Sequence, residues 1–405
     1  MRYDLSKCRP HSQRRLAASV GQIDKRERGG MMTVVDILER LIAFPSVVGT
    51  PNGAIVQWVR AYLEEHGATV SVLPGPEGDR FNLFATIGPA DRPGYILSGH
   101  TDVVPAGEPE WSSDPFCMRA DGDALFGRGT SDMKGFLAAV LASVPALARM
   151  KLARPIHIAF SYDEEAGARG VPHMIARLPE LCARPLGAII GEPSLMRGIR
   201  AHKGKVAARI TLRGRPGHSS RPDLGANAIH AMAGILGATV AQARKLTEGP
   251  LHPAFQPPYS SLQAGVISGG QAINVIPERC TMDVEARAIH GVEPADLLAP
   301  IREAVETLTI DGVRAEWEQI SAYPALLLAP DTGLARLVED LTGQDTLPAV
   351  SYGTEAGLFQ QAGIDAIICG PGDIGRAHKP DEFILESELA ACLRMIAALG
   401  QRCAS

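Results

Sequence analysis

The chain has 405 residues, of which 45% are hydrophobic and 21% charged, and its formal net charge is −5. This length exceeds the usual limit of one hydrophobic core, so we expect two domains in a globular protein. No apolar run approaches the roughly 20 residues of a membrane-spanning helix, and no basic stripe favours a nucleic-acid partner.

The first 30 residues are rich in Lys and Arg and show little apolar periodicity. We interpret residues 1–30 as a disordered tail or a mis-assigned start. A transit peptide is the alternative, but Asp4, Asp24 and Glu27 argue against it. The segment also lacks the basic-then-apolar layout of a signal peptide, so a cytoplasmic location is the default expectation.

From Thr33 onward the pattern alternates between helices and strands. Helices are predicted at 33–43, at 54–66 (ending before Gly67) and at 135–150. Short apolar runs bounded by Gly, Pro or acids predict buried parallel strands. The alternation predicts an α/β fold, a doubly wound and mostly parallel sheet covered on both faces. The predicted strands are Tyr95–Leu97, Ile156–Phe160, Ala188–Ile190 and Ala366–Cys369.

A second pattern occupies residues 204–321. Strands are predicted at 205–212, 261–268, 279–288 and 313–319, with helices near 224–245 and 295–308. This β-α-β-β-α-β order is ferredoxin-like. We therefore predict an inserted α+β domain at 204–321, and a catalytic domain built from residues 31–203 and 322–405.

Acids and histidines follow the predicted parallel strands or begin the helix at 135–150. The carboxyl ends of parallel strands open on one side of a sheet, so these residues are expected to converge. Without cations such a cluster would be strongly repulsive. Mixed carboxylate and imidazole donors suit Zn²⁺ or its neighbours better than Mg²⁺ or Ca²⁺. The residues are His100, Asp102, Asp132, Glu164, Glu165, Glu192 and His378.

Each of these motifs has a simpler explanation when it is taken alone. A His after a strand, such as His100, is usually structural. The pair Glu164-Glu165 is most often solvated, and Gly191-Glu192-Pro193 is most often a turn. The Gly-Arg-Gly-Thr stretch at 127–130 lacks the spacing of a phosphate-binding loop, so we reject nucleotide binding there.

The segments S-G-H-T-D-V-V-P, G-R-G-T-S-D-M-K-G, Y-D-E-E and G-E-P occur in this order and resemble the M20 family of co-catalytic metallopeptidases and deacylases. The resemblance covers nearly all of 33–405. It implies an enzyme, a two-metal amidohydrolase that carries two Zn²⁺ or Co²⁺ ions per subunit. His100, Asp132 and Glu192 would hold one ion, and Asp132, Glu165 and His378 the other.

The same resemblance implies roles for two further acids near the ions. Asp102 would accept the second N–H of the His100 ring and fix its tautomer. Glu164 would act as the general base, taking a proton from the attacking water and delivering it to the departing amine.

In the inserted domain, two more segments match the M20 family. In relatives whose inserted domain dimerises, the residues that match His218 and Asn274 reach toward the partner's metal site. A homodimer is therefore implied, with His218 donating a hydrogen bond to the developing oxyanion. Arg287 would bind a substrate carboxylate. The alternatives are a turn histidine and an exposed strand arginine.

Segments 351–359 and 376–383 resemble the acetylornithine deacetylase branch of the family. This implies hydrolysis of N2-acetyl-L-ornithine to L-ornithine and acetate, in arginine biosynthesis. The alternatives are another N-acyl amino acid, such as succinyl-diaminopimelate, or a non-catalytic metal-binding homologue. Gly353 and Thr354 would hold the substrate backbone. Glu355 would either face the substrate ammonium group or cap a short helix.

Overall fold

A computed structural model describes residues 32–404, so the predicted tail at 1–30 lies outside the described residues. The described part of the chain forms four sheets. The strands, in chain order, are β1 (Thr69–Pro74), β2 (Phe81–Ile87), β3 (Tyr95–His100), β4 (Arg119–Asp121), β5 (Ala124–Phe126), β6 (Ile156–Ser161), β7 (Gly187–Pro193), β8 (Ala201–His202), β9 (Gly204–Arg213), β10 (Ser261–Gly269), β11 (Arg279–Ala288), β12 (Arg314–Tyr323), β13 (Leu326–Leu327), β14 (Ala366–Gly370) and β15 (Phe383–Leu385).

The helices pack on the faces of these sheets. No helix within residues 32–404 has both the length and the apolar character needed to cross a membrane. In chain order the helices are α1 (Val34–Ile42), α2 (Gly53–Glu65), α3 (Gly135–Leu147), α4 (Val171–Ile175), α5 (Leu178–Leu181), α6 (Ala228–Leu246), α7 (Pro294–Glu306), α8 (Gly333–Thr342), α9 (Ala356–Gln361) and α10 (Glu386–Ala404).

The larger domain contains a six-stranded sheet with strand order β1-β2-β6-β3-β7-β14. Strands β6, β3, β7 and β14 are mutually parallel, and they are the four strands predicted from the sequence. Strands β1 and β2 add an antiparallel edge that the sequence prediction missed. The predicted α/β class with a mostly parallel sheet is therefore confirmed, and the two antiparallel strands extend the sheet beyond the four predicted strands.

Helices cover both faces of this sheet, as the alternating pattern predicted. On one face, Leu97 and Ile189 pack into a core shared with α1, α2, α3, α8 and α10. On the other face, Ile96 and Ile190 pack with α4, α5 and α9. Consecutive strand residues point to opposite faces, so a strand with a helix on each side is apolar at most of its positions.

The smaller sheet has the strand order β10-β11-β9-β12 and is antiparallel throughout. With α6 and α7 on one face it has the predicted ferredoxin-like order, and its core lies between the sheet and the two helices. Tyr323 pairs with Lys205, so the chain enters and leaves this unit side by side. Strand β12 continues to Tyr323, past the boundary predicted at residue 321.

Candidate metal centre and active site

The predicted ligands lie at one rim of the six-stranded sheet. His100 is the last residue of β3, and Glu192 lies near the end of β7. Glu165 follows the end of β6, and His378 follows β14. Asp132 lies in the turn Thr130–Lys134, which leads into α3. The fold therefore brings together side chains from five distant stretches of sequence.

The carboxylate of Asp132 lies between two imidazole rings. Its Oδ1 is 3.1 Å from Nε2 of His100, and its Oδ2 is 3.3 Å from Nε2 of His378. One carboxylate thus offers a separate oxygen to each of two neighbouring positions. This is the geometry required of a ligand that bridges two cations.

A further carboxylate lies beside each imidazole. Oε1 of Glu192 is 3.9 Å from Nε2 of His100, and Oε1 of Glu165 is 2.9 Å from Nε2 of His378. The groups whose ligand atoms lie within 4.8 Å of one another are His100, Glu164 and Glu192, and His100, Asp132 and Glu165. They overlap with the two predicted ligand sets without being identical to them. The chain therefore contains a candidate dinuclear metal site, and the assignment of each ligand to an ion stays a prediction.

The electrostatics of the cleft fit a cation site. Burial raises the pKa of Glu192 well above its ordinary value, and the charge of Asp132 adds to this shift. Burial and the charge of Asp132 also raise the pKa of Glu165. These carboxyl groups resist ionising together because each one disfavours the charge of the next. Divalent cations among them would stabilise the ionised forms, and the mixed oxygen and nitrogen donors suit zinc or a close neighbour.

Asp102 holds the neighbouring loop more directly than it holds the His100 ring. Nδ1 of His100 lies 2.9 Å from the main-chain carbonyl oxygen of Asp102, whereas the nearest carboxylate oxygen is 3.6 Å away. The carboxylate instead accepts hydrogen bonds from the backbone N–H groups of Glu164 and Glu165, each at 3.1 Å. This corrects the expected contact, because the carbonyl rather than the carboxylate fixes the ring tautomer.

Glu164 lies beside the same cleft, within ligand distance of His100 and Glu192. Burial raises the pKa of Glu164 well above its ordinary value, and the charges of Glu165 and Asp102 raise it further. The side chain could therefore serve either as a proton acceptor or as a ligand. A measurement of the metal content of a Glu164 variant separates these two roles.

Residues 96–402 match the model of peptidase family M20/M25/M40. The chain belongs to this family. An acetylornithine deacetylase of Photorhabdus laumondii is 34% identical over 380 residues, which is 90% of this chain and 96% of that protein. This M20 chain is therefore an enzyme of the peptidase and deacylase group, as the sequence motifs indicated.

Solved structures show the same fold. An M20 family metallo-carboxypeptidase of Sulfolobus solfataricus has a TM-score of 0.76 at 16% identity, covering 92% of this chain and 99% of that chain. A dinuclear metal-binding M20 peptidase of Bacillus subtilis has a TM-score of 0.59 at 16% identity, covering 91% and 96%. The predicted pairing of a catalytic domain with an inserted domain is consistent with these M20 neighbours.

On the inserted domain, His218 and Asn274 lie on adjacent loops of the M20 chain. The backbone N–H of Ser219 donates to the carbonyl oxygen of Asn274 at 3.0 Å, and both predicted residues are exposed. Nδ1 of His218 accepts a hydrogen bond from the backbone N–H of Ser220 at 3.2 Å and contacts the Ser220 hydroxyl at 2.7 Å. In the neutral ring Nε2 therefore carries the proton and can act as a donor.

Arg287 lies on β11 and is half-buried. Its guanidinium donates to Glu285 at 2.8 Å and to the hydroxyl of Tyr323 at 3.2 Å. Burial raises the pKa of Tyr323, and the negative charge of Glu164 adds to that shift. The Arg287–Tyr323 pair therefore lies within electrostatic reach of Glu164.

The segment predicted to bind substrate packs tightly beside the cleft. Thr354 is buried, and its hydroxyl accepts a hydrogen bond from the backbone N–H of Ala356 at 3.0 Å. A side chain at Gly353 would clash with the ring of Tyr323, since an added Cβ would lie 2.4 Å from Cε2. Gly353 therefore allows the two segments to approach closely.

Glu355 occupies a place that neither sequence hypothesis anticipated. Its carboxylate accepts hydrogen bonds from the hydroxyls of Ser98 at 2.5 Å and Ser161 at 2.7 Å, which lie on the adjacent strands β3 and β6. Glu355 is 1% exposed, and it makes no side-chain capping bond to α9. The contacts therefore favour a role in joining two strands over contact with a substrate ammonium group or capping.

Two buried side chains near the centre were not singled out from the sequence. Glu382 accepts hydrogen bonds from the turn that carries Asp132. Lys134 donates to the carbonyl oxygens of Leu41 and Phe44 at the end of α1, at 3.0 and 2.8 Å. In the sequence, each of them is only a charged residue within a few positions of a proposed ligand. Solvated residues show the same pattern, so it does not identify a buried role.

Proposed function

We propose that the chain hydrolyses the amide bond of an N-acyl amino acid, with N2-acetyl-L-ornithine as the preferred substrate and L-ornithine and acetate as products. The observation that carries this proposal is the Asp132 carboxylate placed between two imidazoles, with Glu164 beside it. Substrate choice is supported by the name of the relative, an acetylornithine deacetylase, at 34% identity. The proposed pathway is arginine biosynthesis.

The proposed ligands are His100, Asp132 and Glu192 for one ion, and Asp132, Glu165 and His378 for the other. Bound Zn²⁺ or Co²⁺ would supply Lewis-acid polarisation of the acyl oxygen. Glu164 accepts a proton from the attacking water and passes it to the leaving amine nitrogen.

Around this centre, further side chains position the base and the substrate. The Asp102 carboxylate holds the backbone of the loop that carries Glu164. Arg287 and the segment around Gly353 and Thr354 form the proposed contacts to the amino-acid part of the substrate. The Glu355 carboxylate accepts hydrogen bonds from Ser98 and Ser161 and so joins two strands that end at the rim.

We further propose that His218 and Asn274 serve the active site of a second copy of the chain. Both residues are exposed, and the hydrogen bonds of the His218 ring stay within its own loop. A neutral imidazole with its proton on Nε2 can donate to the oxyanion that forms on the acyl oxygen. The resemblance to dimeric relatives supports this arrangement.

The proposed dimer surface is the β10 edge surface, which we define as β10 with the adjoining outer side of α6 and the loop at 270–275. Val266 and Ile267 on β10 are 57% and 53% exposed, and Ile273 in the loop is fully exposed. β10 is an edge strand of its sheet, and an unpaired edge is a template for strand pairing. Antiparallel pairing of two copies about a twofold axis would bury these side chains.

A substrate panel tests the function. The purified chain is assayed for amine release from N2-acetylornithine, N-acetylmethionine and N-succinyl-diaminopimelate, with and without a chelator. The highest kcat/KM is expected with N2-acetylornithine, and the chelator should abolish release until zinc or cobalt is restored. Release that survives chelation would contradict the metal mechanism, and a higher kcat/KM for another substrate would reassign the specificity.

A further inference from the structure

The carboxylate of Glu382 is buried beneath the turn that carries Asp132, and the proposed chemistry gives it no role. Glu382 is 1% exposed. Its Oε1 accepts hydrogen bonds from the backbone N–H groups of Ser131 at 2.9 Å and Asp132 at 3.0 Å. Its Oε2 accepts from the backbone N–H of Gly129 at 3.0 Å and from Nη1 of Arg128 at 2.8 Å. Both oxygens are therefore fully used by one short stretch of chain.

The turn has a shape that requires such an acceptor. Gly129 adopts a left-handed conformation with φ of 84°, and an added Cβ would lie 2.6 Å from Cγ1 of Val103. Successive N–H groups around a left-handed residue point to a common centre and form a concavity for an anion. Buried N–H groups without an acceptor destabilise the fold. The side chain of Glu382 supplies the anion from within the chain.

Glu382 also joins two of the proposed ligand loops. It follows His378 along the chain, directly before β15, and its main-chain carbonyl oxygen accepts from the N–H of Gly127 at 2.9 Å. Phe383 of β15 pairs with Phe126 of β5, so the chain leaving the His378 loop lies against the chain entering the Asp132 turn. A displacement of Glu382 would move both loops.

Arg128 balances the buried charge of Glu382. The guanidinium is 1% exposed, lies 5.0 Å from the centre of the Trp111 ring, and donates to the carbonyl oxygens of Lys379 and Pro105, each at 3.3 Å. Nε of Arg128 is buried without a hydrogen-bond partner among the described residues, but the loss of either member of a buried ion pair is strongly destabilising. The pair therefore fixes the position of the Glu382 carboxylate itself.

We propose that Glu382 is a positioning residue of the metal centre. It holds the turn at 129–132 and the His378 loop in one arrangement, so that the two oxygens of Asp132 face His100 and His378. This inference rests on the proposed metal site, and it adds a residue whose effect on metal binding passes through Asp132. Residues that orient metal ligands typically change metal affinity 10–100-fold when they are altered.

The test compares Glu382→Gln with the unaltered chain. The amide nitrogen of Gln cannot accept, so one side of the carboxylate site would face donors without an acceptor. Metal-free protein is titrated with Zn²⁺ alone and with Co²⁺ alone, against a competing chelator, and the visible Co²⁺ spectrum and the thermal unfolding of the metal-free protein are recorded. We expect the metal Kd of Glu382→Gln to rise about 10–100-fold, with an altered Co²⁺ spectrum.

Glu339→Gln is the matched control, because Glu339 also accepts from a backbone N–H and a hydroxyl, both of Thr346, at 3.1 and 2.9 Å, away from the proposed ligands. The control should bind both metals with unchanged Kd. A purely structural role for Glu382 would lower the Tm of the metal-free protein and leave the Kd and the spectrum of the folded protein unchanged. That result would overturn the proposal.

If Glu382→Gln does not fold, Glu382→Asp takes its place. Asp keeps the charge opposite Arg128 but cannot reach both sides of the turn, so the same direction of change in Kd is expected. An unchanged Kd in folded Glu382→Asp would also overturn the proposal. Failure of the unaltered chain to bind two ions would instead refute the proposed function.

Discussion

The rim of the six-stranded sheet is formed within one chain. The loop pair of the inserted domain, which carries His218 and Asn274, has a proposed role that requires a second copy. At the rim, His100 is 1% exposed, Asp132 6% and Glu192 5%, and the buried Glu382 holds the backbone of Asp132. His378 is exposed, but its ring contacts Asp132 and Glu165 of the same chain. On the inserted domain, His218 and Asn274 are exposed. Folding alone therefore prepares the candidate metal centre, whereas the proposed oxyanion donor depends on assembly.

We expect the largest loss of metal binding and activity from a change at Asp132, which contacts both imidazoles of the rim. Asp132→Asn keeps the shape of the side chain but removes the charge and one acceptor, so the two imidazoles no longer share a carboxylate. We expect loss of metal and a fall in kcat of at least ~10³-fold, equivalent to several kcal/mol. Metal analysis and product assay measure both changes. Asp373→Asn, on the loop after β14, should retain its metal, and metal retention in Asp132→Asn would contradict the bridging role.

Glu164→Gln separates the base from the ligands. Loss of a general base lowers kcat by about 10²–10⁴-fold, and we expect the metal content to remain that of the unaltered chain. The neighbouring variant Glu165→Gln should lose metal because Glu165 is a proposed ligand, 2.9 Å from the proposed ligand His378. Metal loss in Glu164→Gln would make Glu164 a ligand, a role its distance from His100 and Glu192 also permits.

The sequence sufficed to predict much of the rim because His100, Asp132 and Glu192 lie at a strand end or a helix start. His378 lies in the loop after β14, and the family resemblance rather than its position identified it. Topology alone then places residues such as His100 and Glu192 on the same side of a parallel sheet. The four parallel strands and the ferredoxin-like order could also be predicted, because both follow from local periodicity in the sequence. The edge strands β1 and β2 were missed although β2 is apolar and buried at most of its positions.

Contacts that depend on side-chain packing could not be predicted. The place of Glu355 between Ser98 and Ser161 requires the register of β3 against β6 and the position of α9, which is distant in sequence. The Nδ1 atom of His100 faces the carbonyl of Asp102 rather than its carboxylate, a difference set by the local backbone. Such choices depend on tenths of an ångström, and the sequence pattern does not carry them.

His218→Ala tests the loop pair of the inserted domain, whose proposed role requires a second copy of the chain. Removal of one oxyanion donor lowers kcat by about 10²–10³-fold, and we expect metal binding to be unchanged because His218 contacts its own loop. Mixing His218→Ala with Glu164→Gln decides where the histidine acts. If His218 serves the partner's site, a mixed dimer contains one site with both an intact base and an intact donor, and activity returns.

Activity that stays at the level of the separate variants after subunit exchange would place His218 at the site of its own chain. Exchange itself is checked by tagging one variant and measuring its recovery with the other. His173→Ala, at an exposed histidine on α4 outside the β10 edge surface, serves as the control variant, because its side chain has no place in the proposed oxyanion contact.

Val266→Asp on the β10 edge surface should weaken the dimer by placing a charge in the proposed interface. We expect a shift toward monomer in sedimentation velocity and a loss of activity that diminishes as protein concentration rises. The loss at high concentration should be smaller than that of His218→Ala, because some dimer remains. Leu186→Asp, at another exposed apolar position, should leave both measurements unchanged. A Val266→Asp protein that remains dimeric would exclude this surface as the interface.

Glu355→Gln is expected to have the smallest effect, and its value lies in the comparison of two substrates. The Gln oxygen can accept from one serine hydroxyl, and its amide can donate to the other, since a hydroxyl is both donor and acceptor. The contacts between β3 and β6 are then preserved, so kcat/KM should fall by less than about tenfold, roughly 1.4 kcal/mol. Because Glu355 is buried between Ser98 and Ser161, the fall should be equal for N2-acetylornithine and N-acetylmethionine. A KM that rises only for N2-acetylornithine would show that the Glu355 carboxylate interacts with the substrate's ammonium group. Glu355 would then be a residue that determines the specificity for ornithine.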